Sequence, residues 1–270
     1  MLKYYASANS CNGYVSFLEE NIADCRTVAV AEGTTAYLRQ KIFEGLKNEC
    51  TELILKPGSE NDLEAIKTKD SVIVFKPERM ENELYYHLGK AKEIHDRWEQ
   101  IYISAMDFKK AEVLAKKVSQ SLIQNKKGHG KSKNIHRFFG SMLSDGSVNY
   151  INDITEGFEK RIFIKGRPGS GKSTLLKRVR QDALDAGFDT ETYLCSFDPN
   201  SLDMVVIREL SVCIFDSTSP HEMFPERAGD EIVDIYAAAI TAGTDEDNSE
   251  KLKRISDEYN KEIKNAKKHL

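Results

Sequence analysis

Eight residues near the middle of the chain have the types and the spacing of a phosphate-binding loop. The segment Gly166–Ser173 reads GRPGSGKS. Its glycines can adopt positive φ, so that backbone N–H groups approach a polyphosphate where a Cβ would collide. The apolar residues 162–164 precede the segment, and a helix-forming run begins at Leu175. This order of strand, loop and helix gives the motif its specificity, and it predicts nucleotide binding.

The residues of this loop have distinct expected roles. Lys172 would bridge the terminal phosphates, Ser173 would offer its hydroxyl to Mg²⁺, and Thr174 would contact the α-phosphate end. The helix that begins near Lys172 would add its positive dipole end. The predicted nucleotide-binding residues are Gly166, Arg167, Pro168, Gly169, Ser170, Gly171, Lys172, Ser173 and Thr174.

A carboxylate follows a later apolar run. Asp216 comes directly after the letters SVCIF, 44 positions beyond Lys172. An acid at this place could hold Mg²⁺ directly or through water, although turn capping is the ordinary alternative for an aspartate at a strand end. With the loop upstream, the metal role is favoured. The predicted metal ligands are Ser173 and Asp216, and the predicted cofactors are ATP and Mg²⁺.

Phosphoryl transfer also needs a group that orients the nucleophile and a cation that meets developing charge. Asp198, in the turn-like stretch DPNSLD, could orient a water or an acceptor hydroxyl, and an Asx turn is an equally good interpretation. The long loop 217–230 holds His221, which could contact phosphate or acceptor but is more simply interpreted as a solvated side chain, and Arg227, which could act as a cationic clamp. Arg167 is another candidate cation, unless it points into solvent. The predicted catalytic residues are Lys172, Asp216, Asp198 and Arg227.

The elements that must position these residues look like two copies of one structural unit. Three pairs of segments match in the same order: Tyr4–Phe17 with Arg137–Tyr150, Gly33–Arg39 with Gly171–Lys177, and Ser71–Lys76 with Ser211–Asp216. The first pair keeps a constant offset of 133 positions. Three matches in one order favour an internal duplication over the periodicity that any two α/β halves share.

The first half lacks the chemistry at the matched positions. Lys172 is matched by Thr34, and Asp216 is matched by Lys76. The first loop is also several residues shorter, and it carries Glu32, which would repel a polyphosphate. The N-terminal half is therefore predicted to have the fold without the nucleotide site.

Two domains are expected for a chain of 270 residues. Residues 1–125 are predicted to form a degenerate P-loop-like α/β domain, 126–135 a linker, and 136–270 the nucleotide-binding domain. The expected fold class is α/β, a P-loop NTPase fold with a mainly parallel sheet in two pseudo-repeated halves. In the second half, the patterns predict strands at 161–165, 189–197 and 211–215, and helices at 172–186, 231–240 and 249–270.

Composition excludes several classes of protein. The net charge of −4 does not favour nucleic acid or an anionic membrane surface as a partner. The five cysteines include no C-x-x-C pair, which argues against a disulfide framework and a zinc site. No apolar stretch has the length of a membrane span or a signal peptide, so a cytoplasmic location is expected. The expected partner is a nucleotide.

The second half resembles a known group of proteins. It is similar to the C-terminal repeat of an uncharacterised group of bacterial tandem P-loop ATPase-like proteins, common in Gram-positive spore-formers. The stretches that carry the resemblance are Arg137–Tyr150, RIFIKGRPGSGKSTLLK, SFDPNSLDMVV and LSVCIFDSTSPHEMFPERAGDEIVD. It covers almost all of 136–270 and is faint over 1–125, where the family's first repeat has a phosphate loop of its own. The resemblance implies ATP binding, with ATPase or nucleotide kinase-like activity.

Three functions fit these patterns. The leading interpretation is a Mg²⁺-dependent ATP-binding protein that hydrolyses ATP, whose first half scaffolds or regulates the second. The alternative is a small-molecule or nucleotide kinase, which would need an acceptor pocket at Asp198 and the loop 217–230, with a small-molecule phosphoryl acceptor as a second partner. The third is a non-catalytic nucleotide-binding regulatory protein whose N-terminal half binds another protein.

Overall fold

The computed structural model describes residues 1–76, 82–123 and 125–270. Up to residue 123 the elements are β1 (Leu2–Tyr5), β2 (Ser7–Ser10), β3 (Gly13–Ser16), α1 (Leu18–Ile22), β4 (Thr27–Ala31), α2 (Ala36–Leu46), β5 (Cys50–Leu55), β6 (Leu63–Thr68), β7 (Ser71–Phe75), α3 (Asn82–Ser104) and α4 (Phe108–Ile123). None of the helices in the described residues is long and apolar enough to cross a bilayer.

The rest of the chain follows the same succession of strands and helices and then extends it. The elements are β8 (Asn134–Arg137), β9 (Gly140–Leu143), β10 (Gly146–Asn149), α5 (Ile151–Ile154), β11 (Lys160–Lys165), α6 (Lys172–Asp185), β12 (Thr190–Leu194), β13 (Leu202–Ile207), β14 (Val212–Asp216), β15 (Asp230–Asp234), α7 (Ile235–Ala239), α8 (Thr244–Asp247) and α9 (Ser249–Ala266). The five cysteines are free thiols.

Two large sheets share one strand order. The first sheet runs β1-β5-β6-β7-β4, and the second runs β8-β12-β13-β14-β11-β15. In the first sheet β6 is antiparallel to both neighbours, while the outer pairs are parallel. In the second sheet β13 is the antiparallel strand, and β15 adds a parallel strand outside β11. The mixed α/β class with mostly parallel strands, expected from the sequence, is confirmed.

The sequence patterns missed most of the short strands and misassigned one. The strands β6 and β13, the edge strands β1 and β8, and the hairpins β2–β3 and β9–β10 were not predicted, because each strand is only four to six residues long. Residues 231–240 were predicted to be helical, and this is wrong for residues 231–234, which belong to β15. Pairing of β15 with β11, in the register Arg161 opposite Asp230, overrides the local helical spacing.

One contact occurs twice where the two sheets meet. Tyr5 and Phe138 form an isolated antiparallel bridge in which each amide donates to the other carbonyl, at 2.8 and 2.9 Å. The Tyr5 ring lies 6.0 Å from that of Tyr150, and the Phe138 ring lies 5.8 Å from that of Phe17. Phe138 and Tyr150 each lie 133 positions after Tyr5 and Phe17 respectively. Matched positions therefore make the same contact in both directions across the junction.

Two helices before residue 125 pack on the rest of the chain. Helix α3 runs along α9, and α4 packs against α6 and α7. A single apolar cluster contains residues such as Leu122 of α4 and Leu176 of α6. Of the predicted linker 126–135, the last two residues belong to β8. The predicted domain boundaries stay a prediction, and the packing places α3 and α4 beside the predicted nucleotide site.

Candidate phosphate-binding site

The glycine-rich loop lies between β11 and α6, with the strand and the helix that the sequence predicts on either side. Gly169 and Gly171 have φ of 73° and 92°, a region that side chains other than glycine rarely adopt. A Cβ added to Gly166 would lie 2.5 Å from Ser170 Oγ and 2.8 Å from a methyl carbon of Ile235. The loop thus needs glycine at these three positions for its own conformation and packing.

Lys172 folds back over the loop from the first turn of α6. Its Nζ donates a hydrogen bond to the Arg167 carbonyl oxygen at 2.9 Å and lies 3.5 Å from Asp216 Oδ2. The two side chains are only 10% and 18% exposed. Parallel pairing of β11 with β14 brings them together, because both strands end at the same edge of the sheet. The structure therefore unites the two charged residues that the sequence singled out.

The first metal-ligand candidate, Asp216, is held in a fixed orientation. Its Oδ1 accepts hydrogen bonds from the Thr218 amide at 3.0 Å and the Thr218 hydroxyl at 2.6 Å. The second candidate, Ser173, accepts a hydrogen bond from the Leu202 amide through Oγ at 3.0 Å. Both oxygens lie on elements that flank the loop, so these residues could hold a divalent cation beside a bound phosphate.

Asp203 is a functional candidate that the sequence analysis missed. It lies in β13, and since Met204 pairs with Phe215, the next position along places Asp203 beside Asp216 at the sheet edge. The residue is buried, and burial, reinforced by the negative charge of Asp216, raises the pKa of the Asp203 carboxyl above its usual value. The apolar run MVVI directly after Asp203 was the available signal for a strand at this place.

Helix α3 flanks the loop on its outer side. A Cβ on Gly169 would overlap the carbonyl oxygen of Glu99, so the loop backbone and the helix are in direct contact. About two helical turns earlier, Lys92 Nζ lies 3.5 Å from Asp198 Oδ2. Asp198 Oδ1 accepts a hydrogen bond from the Asn200 amide, which is the Asx turn that the sequence left open. Asp198 thus closes a local Asx turn with one oxygen and pairs with a cation of α3 through the other.

Lys92 was not predicted, because its neighbours read as an ordinary amphipathic helix and the contact spans more than a hundred positions. His95 and Glu99 lie on the same side of α3, where burial lowers the pKa of His95 and raises that of Glu99. His95, Asp96 and Glu99 each offer one metal-ligating atom within 4.8 Å of the others. The charged side of α3 therefore faces the mouth of the loop.

Arg227 is not brought together with Lys172. Its side chain donates to the Thr155 carbonyl oxygen at 3.2 Å, and its amide donates to Asp230 Oδ2 at 3.1 Å. Because β15 runs parallel to β11, the chain must return to the amino-terminal edge of the sheet before Asp230. The structure thus places Arg227 at the edge opposite the phosphate loop, and the sequence pattern gave no sign of this return.

Arg167 points away from the loop: its side chain is 56% exposed and pairs with an acid of α8. Its Nε and Nη2 donate to Asp245 Oδ2 at 3.0 and 2.6 Å, and the guanidinium lies over the Tyr236 ring. The residue therefore anchors the loop to α8. The other loop residues, Pro168, Ser170 and Thr174, stay predicted nucleotide contacts; the Ser170 hydroxyl is buried without a hydrogen-bond partner among the described residues.

His221, a candidate in the loop after Asp216, is largely buried. Its ring packs edge-on against Phe139, with the ring centroids 4.8 Å apart, and burial lowers its pKa. These contacts are those of a packed side chain, so the position of His221 does not support a role at the phosphate loop.

The matched loop of the first half is built differently. Thr35 caps α2, accepting a hydrogen bond from the Leu38 amide through its side chain. Lys76, which is matched to Asp216, donates a hydrogen bond from Nζ to Glu32 Oε1 at 2.9 Å, and Glu32 lies two positions before Thr34, the residue matched to Lys172. Both side chains are about two-thirds exposed, at 66% and 64%. The acid stands in the loop and the base at the strand end, the reverse of the second half.

Comparison of the chain with protein-family models, with curated proteins and with solved structures found no match. The resemblance to tandem P-loop proteins stays a prediction. The site is defined by its own geometry: a glycine-rich loop between strand and helix, a lysine over the loop, and a carboxylate at the end of the adjacent parallel strand.

Proposed function

We propose that this chain is a Mg²⁺-dependent ATP-binding protein of the P-loop NTPase class, and that it hydrolyses ATP. The observation that supports this most directly is the Lys172–Asp216 pair over the loop. A bound polyphosphate would take Lys172 from the Arg167 carbonyl oxygen and from Asp216. Asp216 and Ser173 would then supply oxygens to Mg²⁺.

The proposed reaction also needs a group that orients the attacking water and a cation, and Asp198 and Lys92 would supply them. Asp198, fixed by its Asx turn, would orient the attacking water. Lys92 of α3 lies close to Asp198 and would supply the cation of the reaction. A positive charge at this place would stabilise the negative charge that develops on the transferred phosphoryl group. The two arginines predicted for this role, Arg227 and Arg167, make other contacts. In this proposal the first half scaffolds the site and contributes α3 to it.

We also propose that the two halves are diverged copies of one unit. The shared strand order of the two sheets supports this, and so does the matched contact of Tyr5 with Tyr150 and of Phe138 with Phe17. Reciprocal contacts between matched positions are typical of two copies related by a twofold axis. The first copy would retain the sheet and lack the nucleotide site.

Calorimetric titration with Mg-ATP, followed by an assay of phosphate release, tests the proposed function. The expected result is one ATP bound per chain, weaker binding in EDTA, and steady phosphate release from ATP alone. Release only with a sugar, nucleotide or other acceptor would favour the kinase alternative. Binding without release or transfer would favour the regulatory alternative. An absence of ATP binding, with GTP also tested, would contradict the proposal.

A further inference from the structure

The outer edge of β4 is the most exposed strand surface of the described residues. In the second sheet the matched strand β11 lies between β14 and β15, and its residues 161–164 are buried. In the first sheet β4 pairs only with β7 among the described residues. Val28 is 50% exposed and Val30 is 62% exposed. An apolar strand with an open edge is a ready template for pairing with another strand.

The backbone of β4 directs two residues toward the open edge. The Thr27 amide donates to the Asp70 carbonyl oxygen, and the Ala31 carbonyl oxygen accepts from the Lys76 amide. These odd-numbered residues therefore bond toward β7. Because the backbone groups of successive residues alternate in direction along a strand, those of Val28 and Val30 face away from β7. They are the groups that another strand would bond.

We propose that this edge pairs with β4 of a second copy of the chain, antiparallel and centred on Ala29. In that register Val28 of one copy lies opposite Val30 of the other, twice, so that the outward-facing amides and carbonyls exchange hydrogen bonds. Arg26 and Glu32, which directly flank the strand, would also lie across from one another, twice, with Glu32 shared between Arg26 of the other copy and Lys76 of its own chain. The first sheets of the two copies would join into one continuous ten-stranded sheet with a twofold axis at Ala29.

The charges that flank β4 favour this register, and they favour a second copy of the chain as the partner. A shift of two residues in one direction sets Arg26 opposite Val30, and a shift in the other direction sets Val28 opposite Glu32, so either shift loses both pairs of opposite charges. Opposite charges directly across an antiparallel pair stabilise it, and like charges destabilise it. The segment from Arg26 to Glu32 is thus complementary to itself. Exposed Tyr37 and Leu38, at the start of α2, add apolar surface close in sequence to the edge.

Sedimentation velocity of the full chain over a wide range of concentration tests the proposal. The wild type is expected to dimerise, and Val30→Lys is expected to be monomeric because it sets a cation opposite Val28. Val113→Lys is the matched control: this valine of α4 is 66% exposed, and its variant should dimerise like the wild type. Circular dichroism checks that each variant folds. A wild type that is monomeric throughout overturns the proposal and leaves the edge to a different protein.

A charge exchange tests the register. Arg26→Glu and Glu32→Arg should each weaken dimerisation roughly tenfold, because each puts like charges opposite one another at two places. Glu32→Arg also breaks the exposed pair with Lys76 of its own chain. The double variant Arg26→Glu/Glu32→Arg restores both pairs between the copies and should recover most of the lost affinity. A dimer that the single changes leave intact, or one that the double change does not recover, overturns the pairing. Neither measurement involves a nucleotide, so the outcome is independent of the proposed ATP hydrolysis.

Discussion

In each half of the chain an ion pair links the end of a matched strand, β7 or β14, to the region of the loop. The acid and the base of the two pairs are exchanged. In the second half the base, Lys172, lies in the first turn of α6 and folds back over the loop, and the strand end carries the acid, Asp216. In the first half the loop carries Glu32 and the strand end carries Lys76. Only the second pair sets a base over a glycine-rich loop, where the proposed phosphate would bind. The comparison shows that the fold tolerates either polarity.

The strands beneath these loops differ as well. Strand β11 is held on its outer side by β15, and Arg161 of β11 bonds Asp230 of β15 through Nε and Nη2 at 2.8 and 2.6 Å. This pair is 1% and 2% exposed. Among the described residues, β4 has no counterpart of β15 on its outer side. The half with the glycine loop is therefore also the half with the more firmly held strand.

The largest effect is expected from breaking the pair between β11 and β15. Asp230→Asn would leave the Arg161 guanidinium buried without its countercharge, and should lower the free energy of unfolding by about 3 kcal/mol. Urea titration measures the change. Glu32→Gln in the exposed pair of the first half is the control, and should cost about 0.5 kcal/mol or less. Equal losses in the two variants would contradict the contrast between the strands.

The difference in free energy of unfolding between the wild type and Asp230→Asn should also depend on pH. The Arg161 guanidinium holds the pKa of Asp230 well below its usual value. A carboxyl whose pKa is lowered by folding stabilises the protein above its unfolded pKa, about 4, and loses that contribution as the pH falls. The gap between the wild type and Asp230→Asn should therefore narrow below about pH 4. A gap that stays constant as the pH falls would show that folding does not lower the pKa of Asp230.

The next effect concerns the nucleotide. Lys172→Ala should weaken Mg-ATP binding roughly 100-fold, because it removes a charge-assisted hydrogen bond to phosphate from a partly enclosed loop. Thr34→Ala, at the matched position of the first half, should leave affinity unchanged. Calorimetric titration compares the two variants. A similar loss in both would overturn the claim of a single nucleotide site.

A smaller change is expected at the predicted metal ligand. Asp216→Asn replaces a charged oxygen with a neutral one and should weaken ATP binding about tenfold in Mg²⁺. In EDTA the variant should bind ATP as the wild type does, and the exposed Asp153→Asn should match the wild type in both conditions. If Asp216→Asn responds to Mg²⁺ as the wild type does, Asp216 has only a structural role.

The smallest effect separates binding from turnover. Lys92→Ala should slow phosphate release several-fold and change ATP affinity little, because its proposed partner is the charge that develops during transfer. Lys90→Ala, which removes an exposed lysine paired with Glu93 on the same helix, is the control. An unchanged rate for Lys92→Ala would contradict the proposed role of Lys92.

Local features were predictable from the sequence, and features set by strand pairing were not. The order of β11, loop and α6 follows from residues adjacent in sequence, so the loop could be located from its letters. The position of Arg227 depends on the direction of β15, which is fixed only when β15 pairs with β11. Asp203 became visible once β13 was known as a strand. Lys92 reaches the site through the packing of α3, which no spacing along the chain reveals.

The glycine-rich loop is in direct contact with α3, so the positions of the loop and the helix are linked. Gly169 and the Glu99 carbonyl oxygen are too close to move independently. With 23 residues, α3 is a rod about 35 Å long. Near its other end the Tyr85 hydroxyl donates to Asn9 Oδ1 of β2 at 3.1 Å. A change in the loop that tilted α3 would therefore also act on the contact between Tyr85 and Asn9, at the opposite end of the helix.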